Sequence, residues 1–210
     1  MLYKNYDKYR YIYPPRPATV APSEALSSWR SGWVAQPKLN GSCCIVATNG
    51  TDLVVNNRHN STFARMKLET SHLKRLSKNG KWVVIVGEYM NKSQRSGTGL
   101  FNQKFVIFDV LVWDSKYLIG STFEERQAIL DEAYTTTAYD GFIEKINDTI
   151  YRACNFRSNF PQTWNKLVAI EMYEGLVLKR GNAELTPGLS AANNTGWQTK
   201  CRKSTKNYSY

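Results

Sequence analysis

The sequence has few of the residues that build metal sites, disulfides or membrane spans. Its four cysteines form no Cys-x-x-Cys pair, and only two histidines occur among 210 residues. Cys43 and Cys44 are adjacent on a predicted strand and would point to opposite faces, so they cannot share one zinc ion. No apolar run reaches the length of a signal peptide or a membrane helix. We therefore expect free thiols in a reducing, cytoplasmic compartment, and no membrane association.

Acidic residues are scarce relative to basic ones, with 17 Asp and Glu against 28 Lys and Arg. The formal net charge of +11 favours a polyanionic partner, and nucleic acid before a membrane, because no basic amphipathic helix stands out. A merely soluble basic protein is the alternative, since net charge governs association rather than fold. The six Trp and thirteen Tyr rings could stack on bases or fill a core.

The first 22 residues combine tyrosines, basic residues and the prolines Pro14, Pro15, Pro17 and Pro22. These prolines exclude a helix through the stretch and predict an extended arm that lies over the body of the protein. Tyrosine with arginine suits contact with nucleic acid, and packing against the body is an equal alternative. We therefore divide the chain into an arm, residues 1–22, and one domain, residues 23–210, which is long enough for its own core.

The remaining chain mixes strands and helices without a strict β-α-β order, which favours an α+β class. Strands are predicted at 33–35, 43–47, 53–59, 82–89, 105–113, 143–153, 174–180 and 197–203. Helices are predicted at 23–31, 63–78, 123–134 and 162–173. Thr122 and Glu125 have the spacing of a capping box, and residues 91–99 are predicted as a mobile basic loop.

Lys38 lies in the stretch Gln36-Pro37-Lys38-Leu39-Asn40-Gly41, where a turn signal directly follows the lysine. Asn-Gly is a turn signal, and the strand-forming residues on both sides would hold the lysine at a strand end. A second turn signal, Asn49-Gly50-Thr51-Asp52, predicts a hairpin that carries Arg58 back toward the lysine. A lysine in such a place is either an ordinary surface charge or a nucleophile. The order of the motifs that follow decides between the two.

Six short motifs occur along the chain in a fixed order. They are Lys38-Leu39-Asn40-Gly41, Arg58-His59, Gly87-Glu88-Tyr89, Phe105-Val106-Ile107-Phe108-Asp109, Glu174-Gly175-Leu176-Val177-Leu178-Lys179 and Lys200-Cys201-Arg202. This series resembles that of the covalent nucleotidyltransferases, which comprise ATP-dependent DNA ligases, RNA ligases and mRNA capping enzymes. The resemblance extends from about Trp33 to Lys203. It implies an α+β, ATP-grasp-like fold of two antiparallel β-sheets flanked by helices, with a nucleotide cleft between the sheets.

The resemblance also implies a role for each motif residue. Lys38 would attack the α-phosphate of ATP, with Lys200 and Arg202 as cations that lower its pKa and hold phosphate oxygens. The residues implied to bind the nucleotide are Gln36, Lys38, Arg58, Glu88, Phe108, Glu174, Lys179 and Lys200. Glu88 and Glu174 would also bind Mg²⁺ or Mn²⁺. Phe108, with Phe105 as second choice, would stack on adenine. The structural alternatives are that both phenylalanines belong to the core, that Glu88 and Glu174 are satisfied carboxylates at strand ends, and that Arg58 is a surface charge.

Basic residues outside the nucleotide motifs suggest a surface for nucleic acid, since phosphate contacts dominate such binding. The candidates are Arg58, Arg65, Lys67, Lys74, Arg75, Lys92, Arg95, Lys203 and Lys206. They occur on the hairpin after Lys38, the predicted helix 63–78, the loop 91–99 and the tail.

Two positions depart from the pattern of the family. Asn40 stands where aspartate is usual, and Arg202 stands where lysine is usual. Both keep the hydrogen bonding and the sign of the phosphate contacts, so activity is expected. Only a handful of residues follow the last motif, so we expect no OB-fold domain.

The resemblance implies an ATP-dependent polynucleotide ligase that acts as a monomer and seals nicked duplex through a lysyl-AMP intermediate. DNA is favoured over RNA as substrate because residues 108–113 and 123–126 resemble DNA ligases more. The alternatives are an RNA ligase, a capping guanylyltransferase and, in a different class, a non-catalytic nucleic-acid-binding module that retains the fold. Whether the chain is of viral or cellular origin is left open.

Overall fold

The computed structural model describes residues 4–63, 66–188 and 193–204. Within these ranges the strands are β1 Lys4–Asn5, β2 Thr19–Val20, β3 Trp33–Leu39, β4 Ser42–Thr48, β5 Leu53–Asn57, β6 Val83–Met90, β7 Gln94–Ser96, β8 Gly99–Phe101, β9 Lys104–Trp113, β10 Lys116–Tyr117, β11 Thr137–Ala138, β12 Ile143–Lys145, β13 Ile150–Ala153, β14 Tyr173–Arg180 and β15 Gln198–Arg202. The helices are a 3₁₀ helix at Ser23–Ser28, α1 Thr70–Lys74, α2 Phe123–Ala133 and α3 Phe160–Leu167. The mixed α+β class predicted from the sequence is confirmed.

The larger sheet has the strand order β11-β12-β13-β9-β6-β4-β5, with β10 paired to β9 and β1 paired to β10. Its central strands β6 and β9 are apolar runs buried along most of their length, as is typical of strands covered on both faces. Strand β13 runs parallel to β9, because the chain returns from β9 through a crossover that contains α2. The other pairings that the structure describes in this sheet are antiparallel.

The smaller sheet has the order β2-β15-β14-β3. Strand β14 is antiparallel to both of its neighbours, while β2 is added parallel to β15 at the edge. The expectation of two antiparallel sheets is therefore corrected by one parallel pairing in each. Strands β7 and β8 form a separate hairpin where residues 91–99 were predicted as a loop.

Buried apolar residues form two clusters. The first is built mainly by β4, β6 and β9, and it includes the buried side chains Tyr6 and Ile12 of the arm. The second packs the apolar face of the smaller sheet, with Ala35, Leu176 and Leu178, against β12, β13 and α3. The smaller sheet is thereby held across the larger one, and its other face borders a cavity.

The helix predictions were partly right. The capping box of α2 is confirmed, because Thr122 Oγ1 accepts a hydrogen bond from the Glu125 amide at 3.2 Å and the Glu125 carboxylate accepts one from the Thr122 amide at 2.7 Å. The long basic helix predicted at 63–78 is wrong, since α1 is the only helix in the described part of that stretch. The Phe63 amide instead donates to the Val55 carbonyl at 3.0 Å and extends the pairing of β5. The apolar residues of the stretch are therefore divided between a short extended pairing and a short helix.

Three other predicted elements differ in their limits. The predicted helix 23–31 is a 3₁₀ helix of six residues. The predicted helix 162–173 is α3, which begins two residues earlier and ends at Leu167, because Tyr173 already opens β14. The predicted strand 143–153 is divided into the hairpin β12–β13 by a turn at Asn147, whose side chain accepts the amide hydrogens of Thr149 and Ile150.

The cysteines are free thiols, as the spacing predicted. Cys44 is buried in the first core, whereas Cys43 lines the cavity, so the two adjacent residues do face opposite sides of β4. Among the helices of the described residues, none has the length and apolar character needed to cross a bilayer.

Candidate functional site

A cavity of about 600 Å³ opens between the two sheets, a size common among small-molecule sites. Of the nine residues predicted to bind nucleotide or take part in catalysis, eight line it. They are Gln36, Lys38, Arg58, Glu88, Phe108, Lys179, Lys200 and Arg202. The ninth, Glu174, is hydrogen-bonded to the Lys38 amine. Residues that are up to 166 positions apart in the sequence therefore meet around one cavity.

The smaller sheet presents its polar residues to the cavity on a single face. Lys38 pairs with Gly175, which pairs with Arg202, and Gln36 pairs with Val177, which pairs with Lys200. Residues two apart on a strand share a face, so one register places Gln36, Lys38, Lys179, Lys200 and Arg202 together. Sequence reasoning gave each residue from its motif, whereas the register that aligns them is a finding of the structure.

Glu174 meets Lys38 because strand β14 is irregular at this point. The pairing of β14 with β3 shifts register between Tyr173 and Gly175, and such a bulge re-aims the side chain beside it. Gly175 has φ +149°, and a Cβ there would lie 2.2 Å from the Cys201 carbonyl oxygen. Only glycine fits this position. The Glu-Gly pair of the motif therefore has a structural cause.

Glu88 lies on β6 opposite Cys43 and is held by the turn that follows Lys38. Its Oε1 accepts a hydrogen bond from the Gly41 amide at 3.1 Å, and a Cβ at Gly41 would lie 2.6 Å from the Tyr89 carbonyl oxygen. Burial raises the pKa of Glu88 to about 7, against the opposing effects of the Lys38 charge and the Gly41 amide; the charge of Glu174 adds to the rise. The two carboxylates are therefore electrostatic neighbours.

The inner end of the cavity is closed by a network of side-chain amides around Gln36. Its Nε2 donates to Asn155 Oδ1 at 2.9 Å, to the Phe108 carbonyl at 3.2 Å and to Gln127 Oε1 at 3.2 Å. Its Oε1 accepts from Lys179 Nζ at 2.6 Å. Sequence reasoning missed Gln127 and Asn155, because a single amide side chain on a helix or in a loop carries no local signature.

Lys179 is only 3% exposed and lies between two aromatic rings. Its Nζ is 5.1 Å from the ring centroid of Phe108 and 4.6 Å from that of Phe123, a distance at which an ammonium is attracted to a ring. Burial lowers its pKa to about 8, although the charge of Asp109 opposes this. Of the two rings considered for adenine stacking, Phe108 lines the cavity, whereas Phe105 is fully buried in the first core.

The outer part of the cavity is rich in cations. Arg58, Lys200 and Arg202 line it together with Arg16 of the arm. Burial lowers the pKa of Lys200, and the charges of Arg202, Lys38, Arg16 and Arg58 lower it further. This end of the cavity therefore suits an anion with several charges. In the sequence, Arg16 lies in the proline-containing arm and belongs to none of the six motifs.

The residues predicted to contact nucleic acid lie at different depths. Arg58, Lys67, Arg75, Lys92 and Arg95 are exposed, and Lys74 is half-buried on α1. The amine of Lys203 donates to the Val168 carbonyl at the end of α3. Arg65 and Lys206 lie outside the described residues.

The carboxylates at the cavity are the candidate ligands for a divalent metal ion. Within the described ranges there is no group of three or more His, Cys, Asp and Glu side chains arranged to hold a metal. Mg²⁺ at nucleotide sites is usually held by one or two carboxylates together with phosphates and waters. Glu88 and Glu174 fit that donor set when a nucleotide supplies the remaining oxygens.

No protein-family model matches the chain, and no curated protein matches it. Solved structures do. A mycobacterial DNA ligase D complexed with ATP and MES has a TM-score of 0.60 and 17% identity over 90% of this chain and 59% of its own. A Lig E DNA ligase has a TM-score of 0.54 and 16% identity over 90% and 69%. The Chlorella virus DNA ligase-adenylate has a TM-score of 0.51 and 14% identity over 90% and 67%.

The chain has the nucleotidyltransferase fold of the DNA ligases. This confirms the fold that the six motifs implied. The ligase fold here spans about 60% of the length of the two mycobacterial ligase structures it matches. At these identities the likeness concerns the fold, and the activity of the chain has to be argued from its own residues.

Proposed function

We propose that this protein is an ATP-dependent polynucleotide ligase that seals nicks in duplex DNA through a covalent lysyl-AMP at Lys38. The observation that carries the proposal is the meeting of all six motifs at one cavity, with the Lys38 amine paired to Glu174. A nucleic-acid-binding module without catalysis has no use for a lysine–carboxylate pair at a cation-rich cavity.

The nucleotide is proposed to lie with its base at the inner end and its phosphates at the outer end. The inner end offers the Phe108 ring for stacking and the Gln36 amide for the base edge. The outer end offers Lys200 and Arg202 for phosphate oxygens, where arginine can bind two oxygens and lysine acts as a point charge. Lys38 lies next to Arg202 across the sheet, with Gly175 between them, and so adjoins the phosphate end.

The first step is nucleophilic attack by Lys38. The unprotonated Nζ attacks the α-phosphorus, the N–P bond forms as the P–O bond to the β-phosphate breaks, and pyrophosphate leaves with the electron pair. In the nucleotide-free structure this amine donates a hydrogen bond to Glu174. Attack therefore requires that the pair opens and the amine loses a proton. A divalent metal bound by Glu88 and Glu174 would neutralise phosphate charge.

The later steps use the same cavity. The 5′-phosphate oxygen at the nick attacks the phosphorus of lysyl-AMP, and the N–P bond breaks to return the Lys38 amine. The 3′-hydroxyl then attacks the 5′-phosphate phosphorus, and AMP leaves as the phosphodiester bond forms. Arg58, exposed at the rim directly after β5, is proposed to hold the 5′-phosphate. DNA is preferred over RNA as substrate because three of the fold neighbours with TM-scores above 0.5 are named as DNA ligases.

Covalent labelling tests the proposal directly. The protein is incubated with Mg²⁺ and α-labelled ATP or GTP, denatured, and separated on a gel. Wild-type protein is expected to become labelled by ATP and not by GTP. Lys38→Ala and Lys38→Arg are expected to be labelled by neither nucleotide. Lys81→Ala is the matched control, because Lys81 is exposed beyond the other end of β6 from Glu88. Absence of label on wild-type protein with ATP and either Mg²⁺ or Mn²⁺ would reject the enzyme.

A sealing assay tests which nucleic acid is the substrate. Nicked DNA duplex, nicked RNA duplex and an RNA–DNA hybrid are offered separately to wild-type protein with ATP. Sealing of the DNA nick at a higher kcat/KM than the RNA nick is expected. Faster sealing of RNA identifies an RNA ligase, and label from GTP in place of ATP identifies a capping-type guanylyltransferase.

A further inference from the structure

The N-terminal arm joins the two sheets across the cavity. At one side β1 pairs with β10 of the larger sheet, and at the other β2 lies against β15, with the Ala21 amide bonded to the Lys200 carbonyl at 3.0 Å. We call the connecting segment, residues 6–22, the strap. It is thus fixed to the larger sheet at one end and, at the other, to β15, the strand that carries Lys200 and Arg202.

The centre of the strap is a rigid part of the cavity wall. Pro14, Pro15 and Pro17 line the cavity, and the first two are buried. The Tyr13 amide directly before them donates to the Gly188 carbonyl at 2.7 Å. Proline fixes φ near −65°, so these residues hold the backbone in one extended shape. The backbone of this wall therefore loses little conformational entropy when a ligand binds to it.

Arg16 is the cation that this wall supplies. It lies between Pro15 and Pro17 and is exposed to solvent, with its guanidinium 6.0 Å from the Tyr13 ring centroid. Its charge acts on Lys200 together with those of Lys38 and Arg202. Arg16 therefore faces the same anion-binding space as the motif residues, from the opposite, solvent side.

The order of groups along the cavity indicates what Arg16 meets. The buried amides close the inner end, Lys38 lies beyond them, and Arg16 is exposed at the outer wall. A triphosphate whose α-phosphorus is near Lys38 extends its terminal phosphates toward solvent, because pyrophosphate must leave that way. We propose that Arg16 binds the β- and γ-phosphates of ATP, and pyrophosphate in the reverse reaction. This inference rests on the proposed function.

The proposed contact acts on the leaving group. When Nζ of Lys38 bonds to the α-phosphorus, the bridging P–O bond breaks and negative charge grows on the β-phosphate. A guanidinium can donate two hydrogen bonds to such an anion, and a donor fixed where charge develops stabilises the transition state. Steps that involve only AMP or the nick contain no pyrophosphate and should not depend on Arg16.

The first experiment compares Arg16→Gln with Arg10→Gln, a strap arginine that does not line the cavity and instead pairs with Asp7 at 3.6 Å. Arg16→Gln should lower kcat/KM for ATP in lysyl-AMP formation by about tenfold, the loss of one charge-assisted phosphate contact. It should slow to a similar extent the reverse reaction, in which pyrophosphate attacks the phosphorus of lysyl-AMP, the N–P bond breaks and labelled ATP leaves. Arg10→Gln should change neither rate, and Arg16→Lys should be intermediate.

The second experiment removes the triphosphate. Nicked DNA carrying AMP already joined to its 5′-phosphate is sealed by the protein without ATP, and Arg16→Gln should seal it at the wild-type rate. Equal losses in this reaction and in lysyl-AMP formation would assign Arg16 to the nucleic-acid phosphate or to the fold, and would overturn the inference. Wild-type rates in both reactions would overturn it as well. If wild-type protein itself forms no lysyl-AMP, it is the proposed function that fails.

Discussion

The amine of Lys38 donates a hydrogen bond to the carboxylate of Glu174 across strands β3 and β14. The two side chains are 22% and 24% exposed, so the pair can be reached from the cavity. This hydrogen bond joins Lys38, the proposed nucleophile, to Glu174, whose side chain is redirected by the bulge at Gly175. Under the proposed function, this hydrogen bond must break before Lys38 can attack the nucleotide.

Replacing either carboxylate should slow the first step without unfolding the protein. Glu88→Ala and Glu174→Ala are each expected to reduce the rate of lysyl-AMP formation by well over tenfold, which corresponds to more than about 1.4 kcal/mol in the barrier. The rate is measured by quenched-flow labelling with ATP. Glu132→Ala, an exposed position on α2, is the control. Near-wild-type rates for both cavity variants would return these carboxylates to a structural role.

Salt should separate the two halves of the reaction. The predicted binding of nucleic acid through exposed Lys67, Arg75, Lys92 and Arg95 would be mostly to phosphates. Nick sealing should therefore fall log-linearly with salt, with a slope of about −0.9 per phosphate neutralised. Lysyl-AMP formation uses no such surface and should be far less sensitive. Both rates are measured across one salt series. Charge removal by Lys67→Gln with Arg75→Gln should flatten the sealing slope, whereas Lys81→Gln should not. A parallel decline of the two rates would contradict a basic docking surface.

Lys179→Met should flatten the alkaline pH dependence of stability. Burial lowers the pKa of Lys179 to about 8 in the folded protein, against 10.5 for an ordinary lysine side chain. Below pH 8 folding places a charged amine in a desolvated position. Between pH 8 and 10.5 the folded state binds fewer protons than the unfolded state, so stability rises with pH. The difference between the two pKa values corresponds to about 3 kcal/mol in the free energy of unfolding.

The measurement for Lys179 is the free energy of unfolding in urea at several pH values from 7.5 to 10.5. The advantage of Lys179→Met over wild-type protein should shrink as pH rises, whatever its sign at pH 7.5, because the Gln36 oxygen it leaves unpaired does not titrate. Tyrosine ionisation affects both proteins and cancels in the difference. Lys81→Met should show no such trend. A pH-independent difference for Lys179→Met would contradict the lowered pKa.

Asp109 and Arg126 form a buried ion pair whose charges act on Lys179. Removal of one partner should destabilise the protein strongly, whereas replacement of both by apolar residues should destabilise it little. Arg126 donates to Asp109 from Nε at 2.9 Å and from Nη2 at 3.1 Å, and the two side chains are 0% and 1% exposed. Asp109→Ala should destabilise the protein by about 3–5 kcal/mol, since it leaves a buried charge unpaired. Asp109→Leu with Arg126→Met should recover most of this loss in urea unfolding. Asp148→Ala, in an exposed pair with Lys145, should leave the urea midpoint unchanged.

The strands that carry the motifs were predictable because their signals are local. A buried apolar run with a carboxylate at its end gave β6 with Glu88, and a largely apolar run gave β9 with Phe108. The turn at Asn49-Gly50 gave the hairpin of β4 and β5. The helix at 63–78 failed for the same reason, since apolar residues spaced three or four apart also occur in an extended segment beside a short helix. Local spacing does not distinguish these cases.

The parts of the site that came only from the structure depend on contacts between distant residues. Gln127 and Asn155 reach Gln36 from positions 91 and 119 residues away, and neither belongs to a recognisable motif. Arg16 reaches the cavity because the strap is anchored at both ends. The arm had two open interpretations in the sequence, and the burial of Tyr6 and Ile12 favours packing. Register and anchoring are tertiary properties, which a single sequence does not encode locally.

The position of β2 has a consequence for how the protein is synthesised. The smaller sheet combines residues 19–39 with residues 173–202, and Val20 pairs with Lys200. Pairings across nearly the whole chain are slow to form, and on the ribosome they must wait for the last strand to leave the exit tunnel. The larger sheet can assemble earlier from β4, β5, β6 and β9, which are close in sequence. The cavity therefore closes only after translation of its final motif, and a nascent chain has no complete nucleotide site.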